Sequence, residues 1–392
     1  MKHWNLNLNG KNQKLGFFLA VFLAAFAGCL LWMNMEIERT PLRPDGGNVI
    51  ARAVVTEVLS SDVNISEEGE MQGNQTVKIK ITDGDFKGTI CEAQCPYANH
   101  TGAFCKKGTK VVVIVKEGED AALNATVYNY DRSFSQWTLI ALFLVTLCII
   151  GGRQGVASAA GLIFTFVCIF ALYIPLMYQG VSPFLAAALT VVLVTVVVML
   201  LIGGWSKKTL CAILGTVAGV LAAGGIAALF GKTGHISGLN VDDVETLAYV
   251  AQNSDLKVGG VLFSGILIAS LGAVMDVSMS VASTITELHD ANPEFSAARL
   301  FQSGIRVGRD MMGTMSNTLI LAFAGSAINL LIITYAYQMP YLEYFNKYDI
   351  AIELLRGISG SMGVILTVPF VSLIASVVTA GKWGSFLPKR RH

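Results

Sequence analysis

The sequence predicts a polytopic α-helical membrane protein with a small β domain between its first and second transmembrane helices. Of the 392 residues, 53% are hydrophobic and only 14% are charged, whereas soluble domains carry about 25% charged residues. One apolar run near the N-terminus precedes a polar stretch with the alternation of β-strands. Seven further apolar runs follow, each close to the ~20 residues that a helix needs to cross a bilayer.

The first apolar run, residues 16–35, predicts a membrane anchor. Three lysines and no acid precede it, which is the charge pattern of a segment inserted with its N-terminus in the cytoplasm. No small-x-small cleavage site follows the run, so an anchor is favoured over a cleaved signal peptide. An Ala-Gly-Cys sequence ending at Cys29 loosely matches a lipoprotein box, and lipidation is the alternative. Residues 1–15 are then expected to be cytoplasmic.

Residues 36–133 predict a small extracytoplasmic β domain. Apolar and polar residues alternate over residues 77–82, and Asp83-Gly84 predicts a tight turn into a second strand over residues 86–91. Further strands are predicted over residues 49–59, 111–115 and 125–130. Five short strands of this kind predict a small barrel, and the OB-like barrel is one such topology.

The later apolar runs predict a seven-helix bundle over residues 134–384. They cover residues 137–151, 156–177, 183–205, 209–230, 258–283, 312–337 and 361–381. Threading them alternately after the anchor places most basic residues on the cytoplasmic side: Arg153, Lys207, Lys208, Arg299, Arg306, Arg309, Lys382, Lys389, Arg390 and Arg391. Because Lys and Arg are enriched in cytoplasmic loops, we expect about eight spans, two cytoplasmic termini and a basic tail over residues 385–392.

Asp276 is the only acidic residue well inside a predicted span. A carboxylate at that depth costs at least about 2.5 kcal/mol unless it meets a partner or a watery cavity, so Asp276 is a candidate site for a solute, an ion or a proton. Ser280 and Ser283 lie on the same helical face and extend a polar stripe toward the cytoplasmic end. The alternative is a hydrogen bond that packs one helix against another.

The following span begins with a dense polar segment. Four of its residues share one helical face: Arg306, Asp310, Thr314 and Asn317. Arg309 lies on the neighbouring face. Asp276 and Asn317 both lie about 10 Å to the cytoplasmic side of the midpoints of their spans, which places them at similar depth. The two arginines have two interpretations: cations that snorkel to the interface, or groups that neutralise an anion or pair with Asp310.

Three cysteines lie in one polar stretch, at Cys91, Cys95 and Cys105. On an oxidising side of the membrane two of them are expected to form a disulfide, and the spacing leaves open which two. Together with His100 they supply the ligand types of a Cys3His metal site, but their spacing matches no compact zinc motif. We therefore expect no metal and no cofactor.

The sequence argues against several classes of function. It contains no Walker-type loop, no His-Glu-x-x-His, no Gly-x-Ser-x-Gly and no Cys-x-x-Cys, so no enzyme activity is expected. A formal net charge of +1 gives no reason to expect a nucleic-acid partner. The expected partners are the lipid bilayer, an unknown small solute or ion, and either an envelope protein or further copies of the chain.

Two segments of the bundle resemble the YibE/F-like family of bacterial multipass membrane proteins. They are Gly-Ala-Val-Met-Asp-Val, which contains Asp276, and Arg-Asp-Met-Met-Gly-Thr-Met-Ser-Asn-Thr, which begins at Arg309. The resemblance implies a bacterial plasma membrane and a soluble outer domain, and it strengthens the choice of Asp276, Arg309, Asp310 and Asn317. It implies no substrate. The three-cysteine stretch departs from the family pattern.

The leading hypothesis is a secondary transporter or permease whose pathway passes Asp276 and Asn317. Coupling to protons or cations through the Asp276 carboxylate belongs to this hypothesis. The alternative is a non-transporting membrane component, in which the outer β domain senses a ligand or recruits an envelope partner.

The charge distribution makes a direct prediction of topology. In a chain free of other cysteines, cysteines placed at Lys208 and Asn292 should react only with membrane-permeant thiol reagents, because the basic segments lie in the cytoplasm. Cysteines at Asn253 and Lys347 should react with impermeant reagents on intact cells. Labelling of position 208 from outside would contradict the eight-span arrangement.

Overall fold

The structure is a computed structural model and describes residues 25–35, 48–65, 71–97, 102–117, 123–238 and 244–381. The chain divides into two compact units: Pro41–Thr146 forms one, and Met1–Thr40 with Leu147–His392 forms the other. The expected cytoplasmic N-terminus, the first part of the anchor, His100 and the basic tail lie outside the described residues.

The first unit contains a five-stranded closed barrel. Its strands are β1 (Val49–Ile65), β2 (Met71–Ile81), β3 (Ile90–Tyr97), β4 (Lys110–Glu117) and β5 (Leu123–Tyr130). They follow one another around the barrel in the order β1-β2-β3-β5-β4. β3 and β5 are parallel, and the other neighbours are antiparallel. The predicted small barrel is confirmed.

Closure of the barrel depends on the length and curvature of β1. Its first part pairs with β4, from Val49 opposite Val115 to Val54 opposite Lys110. From Ala53 to Ile65 it pairs with β2, so that Ala53 and Val54 pair with both neighbours. The β2 register shifts between Val55 and Glu57 and again between Val58 and Ser60. Bulges of this kind bend and twist a strand, so one strand contributes to both sides of the barrel.

The barrel interior is filled by small and medium apolar side chains from alternate positions. Residues that share the inward orientation are Ala51, Ala53, Val55, Val77, Ile79, Ile81, Ala93, Val111, Val113, Val115, Ala125 and Val127. The alternation follows from the two-residue period of a strand. The interior is therefore a packed core.

The predicted second strand begins later than expected. Residues 86–89 belong to the connection, and β3 starts at Ile90. The hairpin closes where the Ile81 amide donates to the Thr89 carbonyl at 3.0 Å. Gly84 and Gly88 both adopt positive φ, at 73° and 91°, which glycine tolerates without steric cost. The Asp83-Gly84 pair thus begins a longer turn.

The packed interior predicts a stability difference between two isoleucines of the barrel. In residues 36–133 expressed alone, Ile79→Ala should lower the free energy of unfolding by about 2–5 kcal/mol, because Ile79 is fully buried and the change leaves a cavity. Ile50→Ala is the matched control and should change it by at most about 0.5 kcal/mol, since Ile50 is 61% exposed. Chemical denaturation followed by far-ultraviolet circular dichroism measures both. Equal effects, or a helical spectrum, would contradict the assigned barrel.

The second unit is a bundle of helices, together with the last part of the anchor, and the first residues of its second helix, 133–146, belong to the first unit. The helices are α1 (Ala25–Met35), α2 (Ser133–Cys168), α3 (Ile174–Tyr178), α4 (Pro183–Gly203), α5 (Lys207–Thr233), α6 (Val244–Gln252), α7 (Val261–Ala291), α8 (Ala297–Ser326), α9 (Ile328–Ala336), α10 (Tyr341–Phe345) and α11 (Tyr348–Ala380). Within the described ranges, five helical segments are long and apolar enough to cross a membrane, or six if α8 and α9 form one bent span.

The longest of these segments is interrupted. Ser133–Tyr178 has 46 residues, about 69 Å at 1.5 Å per residue and more than twice the ~30 Å of the bilayer core. Gly152 breaks its helical backbone with φ 54° and ψ −127°. A Cβ at Gly155 would collide with the Leu147 carbonyl, eight residues earlier, so the chain changes direction here.

A π-helical turn over Ile169–Tyr173 joins α2 to α3. Pro175 has no N–H to donate to the carbonyl four residues earlier, that of Ala171. The Asn34 side-chain amide of α1 donates to this carbonyl at 2.9 Å. The same turn places the Tyr173 hydroxyl 2.5 Å from the Ser264 hydroxyl of α7. The π-helical turn therefore contacts both α1 and α7.

The centre of the bundle consists of α5, α7 and α11 in close contact. A Cβ at Gly215 would lie 2.7 Å from Val371 Cβ, and one at Gly363 would lie 2.6 Å from Ala223 Cβ. Small residues at such positions let helix backbones approach closely in membranes.

Two helices differ in extent from the apolar runs that predicted them. α11 begins at Tyr348 and not near residue 361, because its polar first turns are stabilised within the helix, for example by the 2.7 Å ion pair of Arg356 with Glu353. The predicted span over residues 312–337 is divided between α8 and α9, which meet at an angle of 63°.

Candidate functional site

α7 and α8 are antiparallel neighbours that hold all seven candidate pathway residues. Ile285 of α7 meets Gly304 of α8, where a Cβ would lie 2.6 Å from Ile285 Cδ1. Asp276 is nine residues from Ile285, and Gly313 is nine residues from Gly304. Both are therefore about 14 Å along the helix axes from this contact. Asp276 is level with Gly313.

Asp276 lies on the outward face of α7. The opposite face contains Leu267, Val274 and Ile285, which are buried against α5 and α8. The exposed positions follow a helical stripe: Gly265, Ala269, Gly272, Asp276, Glu287 and Asp290. Ser280 and Ser283 lie on the same stripe and are partly buried. The predicted polar stripe therefore points away from the centre of the bundle.

The polar face of α8 is also directed outward. α8 packs on α11 and α7 through its glycines: a Cβ at Gly304 would lie 2.6 Å from Ser372 Oγ, and one at Gly308 would collide with Val368. At 100° per residue, Arg306, Gly313 and Asn317 lie on the side opposite Gly304. All the predicted polar residues of this helix are exposed: Arg306, Arg309, Asp310, Thr314 and Asn317.

The structure aligns the candidate residues in depth but does not join them. Asn317 and Arg309 each lie one helical turn from the level of Asp276, about 6 Å along the axis. Within the described residues, no hydrogen bond or ion pair connects the side chains of the seven candidates. The Thr314 hydroxyl instead donates to the Asp310 carbonyl of its own helix at 3.1 Å.

A second group of polar side chains lies inside the bundle and was not predicted. It consists of small hydroxyl residues on the buried faces of the central helices, among them Thr216, Ser264, Ser270, Ser278, Thr367 and Ser372. Several bond within their own helix, as Thr367 does to the Gly363 carbonyl at 2.7 Å. These residues carry no charge, and their small size suits close helix packing. The charged groups at this depth are all on the outward faces.

In the barrel, the structure separates the three polar-stretch cysteines. Cys95 of β3 and Cys105 of the segment before β4 are both buried, with their Sγ atoms 3.0 Å apart as free thiols. Cys91 lies four residues before Cys95 on the same strand, about 13 Å away at 3.3 Å per residue. Only Cys95 and Cys105 are within reach of each other.

Hydrogen bonds hold the segment of Cys105 against the barrel. The Cys105 amide donates to Gln75 Oε1 at 2.7 Å, and Gln75 is itself buried. The Phe104 amide donates to the Tyr130 hydroxyl at 2.8 Å. Burial raises the pKa of Tyr130, against the opposing effect of its hydrogen bond to Phe104. Side chains of two strands therefore position the thiol pair, because they accept hydrogen bonds from the backbone amides of Phe104 and Cys105.

The two thiols have different acidities. A hydrogen bond from the Cys105 thiol lowers the pKa of Cys95, because it stabilises the Cys95 thiolate. The same hydrogen bond, with burial, raises the pKa of Cys105. Cys91 has a raised pKa because of its burial. Within the described residues no group of three His, Cys, Asp or Glu side chains is arranged to hold a metal ion, and His100 lies outside them.

A five-stranded barrel joined to a bundle of long apolar helices defines a polytopic helical membrane protein with a separate small barrel domain. The sequence profile described as YibE/F-like protein matches residues 139–381, most of the bundle. The chain therefore belongs to the YibE/F-like family, as its sequence resemblance predicted. No curated protein and no solved structure matches the chain.

The thiol geometry predicts which disulfide forms. When the protein is treated with dissolved oxygen and a copper catalyst, Cys95 and Cys105 should lose two protons and two electrons to oxygen and become linked. The bond should stabilise the barrel by about 2–4 kcal/mol. Peptide mass spectrometry after alkylation identifies the linked pair.

Cys91→Ser is the matched control and should leave this oxidation unchanged. Cys95→Ser and Cys105→Ser should each abolish it. A disulfide that contains Cys91 in the wild-type protein would contradict the arrangement of the three sulfur atoms.

Proposed function

We propose that this protein is a secondary transporter or permease whose pathway follows the polar faces of α7 and α8. The observation that carries the proposal is the position of Asp276 within an apolar helix, at the depth of the polar segment of α8. An ionisable residue at such depth commonly marks a pathway for ions, protons or solutes. Asp276 is assigned the role of a proton or cation site, and Arg309, Asp310 and Asn317 line the pathway.

The contacts of Asp276 support this role over helix packing. A packing hydrogen bond within the chain requires a partner side chain, and the Asp276 carboxylate bonds to none of the described residues. Asp276 is instead exposed on the bundle. Its carboxylate is thus available to a proton, a cation or a group that is not part of the described chain.

The proposed arrangement has eight spans in the plasma membrane of a bacterium. Counting the anchor, both parts of Ser133–Tyr178 on either side of Gly152, α4, α5, α7, α8 with α9, and α11 gives this number. Both termini are then cytoplasmic and the barrel is extracytoplasmic. The barrel is proposed to be of the OB type, because it has five strands and a parallel β3–β5 pair within an otherwise antiparallel closed sheet.

The second candidate function is a non-transporting component that binds a partner through the barrel. It is favoured by apolar side chains on the outer barrel surface: Ile50, Leu59, Ile90 and Tyr128 are each at least 45% exposed. Contact with a partner would remove these side chains from water.

Asp276→Asn separates the two candidates. The change retains the size of the side chain and removes its charge and titratable proton, so the protein should insert normally and lose transport. Ion-sensitive dyes in membrane vesicles with imposed proton, sodium or potassium gradients measure the flux. Asn317→Ala should have the same effect. Asp290→Asn is the matched control, because it removes a carboxylate from the same stripe about 21 Å away.

Accessibility of the site to water gives a second readout that does not require the solute. Cysteines at positions 276 and 317 should react with water-soluble thiol reagents, whereas a cysteine at Leu189, on an exposed apolar face of α4, should not. Full transport by Asp276→Asn would remove the carboxylate from the mechanism. Absence of labelling at both positions would favour the non-transporting component.

A further inference from the structure

The outward faces of α7 and α8 differ from the rest of the bundle surface. Large apolar side chains are exposed on α4, α5 and α11, for example Leu189, Leu221 and Leu373. In the described part of the chain, no large apolar side chain is exposed between Tyr249 and Ile320, the stretch that contains α7 and most of α8. Glycine, alanine and polar residues occupy these exposed positions. This face is therefore unsuited to contact with lipid.

The two faces carry opposite net charges. The charged residues of the exposed α7 stripe are all acids, among them Asp276 and Glu287, whereas the polar face of α8 contains Arg306 and Arg309 with a single acid, Asp310. None of these side chains forms an ion pair with another described residue. Charges held near or within hydrocarbon require neutralisation. A protein surface of complementary charge at the same depth can neutralise them.

The chain itself carries that complementary surface. We propose that a second copy packs on this face, so that the α7 stripe of each protomer contacts the α8 polar face of the other. A two-fold axis along the membrane normal keeps every residue at its own depth, and the paired surfaces are then reciprocal. In this dimer the α7 stripe and the α8 polar face of each copy are both in contact with the other copy.

The depths of the charges match across this interface. Asp276 is level with Gly313, and Arg309 is one turn away, about 6 Å, which an extended arginine side chain spans. Glu287 is two residues beyond Ile285 and is level with Gln302, one turn from Arg306. Two acid–base pairs therefore form on each side of the axis.

The outward glycines permit close approach of the helices. A Cβ added to Gly265, Gly272 or Gly313 would meet nothing within 4 Å, so these glycines are not required by packing within the chain. Small residues on facing helices allow backbones to come together in a membrane. The second copy also covers the polar faces that the proposed pathway follows, although the interface depends only on the membrane location of these helices and not on transport.

Charge reversal tests this interface. Wild-type copies with two different affinity tags should co-purify from mild detergent. Asp276→Arg and Arg309→Asp, each expressed alone with both tags, should lose most of this co-purification, because the mixed pair becomes two like charges. Lys208→Asp, at the start of α5, reverses a charge that belongs to neither proposed face; it is the control and should co-purify like the wild type.

Co-expression of the two reversed chains distinguishes contact between copies from contact within one chain. A mixed dimer of Asp276→Arg with Arg309→Asp contains one swapped pair and one wild-type pair, so co-purification should return. If Asp276 and Arg309 paired within one chain, co-expression would restore nothing and the proposal would be wrong.

Light scattering of the purified protein gives the number of copies and covers the case in which the reversed chains fail to insert. A monomer, or a stoichiometric complex with a different protein, would also overturn the proposal. None of these readouts measures flux, so loss of the transport hypothesis and loss of the dimer hypothesis are separate results.

Discussion

The constraint on which this structure depends is that a charged or polar group at membrane depth must have a partner. Backbone groups meet this constraint within helices, and where Pro175 leaves the Ala171 carbonyl without its helical donor, the Asn34 side chain supplies one at 2.9 Å. Some small hydroxyls in the bundle interior meet it by bonding to their own helices, as Ser270 and Thr367 do. The buried Ser278 and Ser372 hydroxyls have no hydrogen-bond partner among the described residues. The Asp276 carboxylate does not meet it within the described chain.

The lack of a partner for Asp276 connects the candidate site with the proposed dimer. A buried aspartate with bonded neighbours would have a structural role, whereas the exposed carboxylate of Asp276, level with the exposed polar face of α8, supports the proposal that a second copy covers this surface. The same geometry suits a transport pathway, because two polar faces brought together enclose a polar route between them. The transport proposal gives the exposed charges of α7 and α8 a function, and the dimer proposal says which molecule covers them.

The barrel unit is stabilised differently from the helical bundle. Alternate side chains of its strands fill an apolar interior, and the backbone amides of Phe104 and Cys105 donate to the side chains of Tyr130 and Gln75, which holds the Cys105 thiol beside that of Cys95. The pKa difference between the two thiols favours ionisation of Cys95, the form that reacts in disulfide formation. Whether this chemistry occurs depends on the redox state of the compartment that the barrel occupies.

The sequence by itself determined the class of protein, because composition and the length of apolar runs distinguish segments that can lie in lipid from segments that cannot. It also determined most strand positions, since the two-residue alternation over residues 77–82 and 111–115 is local. The resemblance in the segments of Asp276 and Arg309 identified the family. The polar face of α8 was likewise predictable, because residues 306, 310, 314 and 317 follow the helical repeat.

Only the tertiary structure decided which cysteines are adjacent, because Cys95 and Cys105 are brought together by the closure of the barrel and not by their spacing. Only it showed that Asp276 and the α8 arginines point outward, since helical periodicity defines a face but not what the face packs against. The start of α11 at Tyr348 and the bend between α8 and α9 could not be predicted from the sequence either. The length of an apolar run indicates which residues can lie in a membrane, but it does not indicate where a helix begins or bends. The direction of the charged faces is a property of how α5, α7, α8 and α11 pack together, and no single segment encodes it.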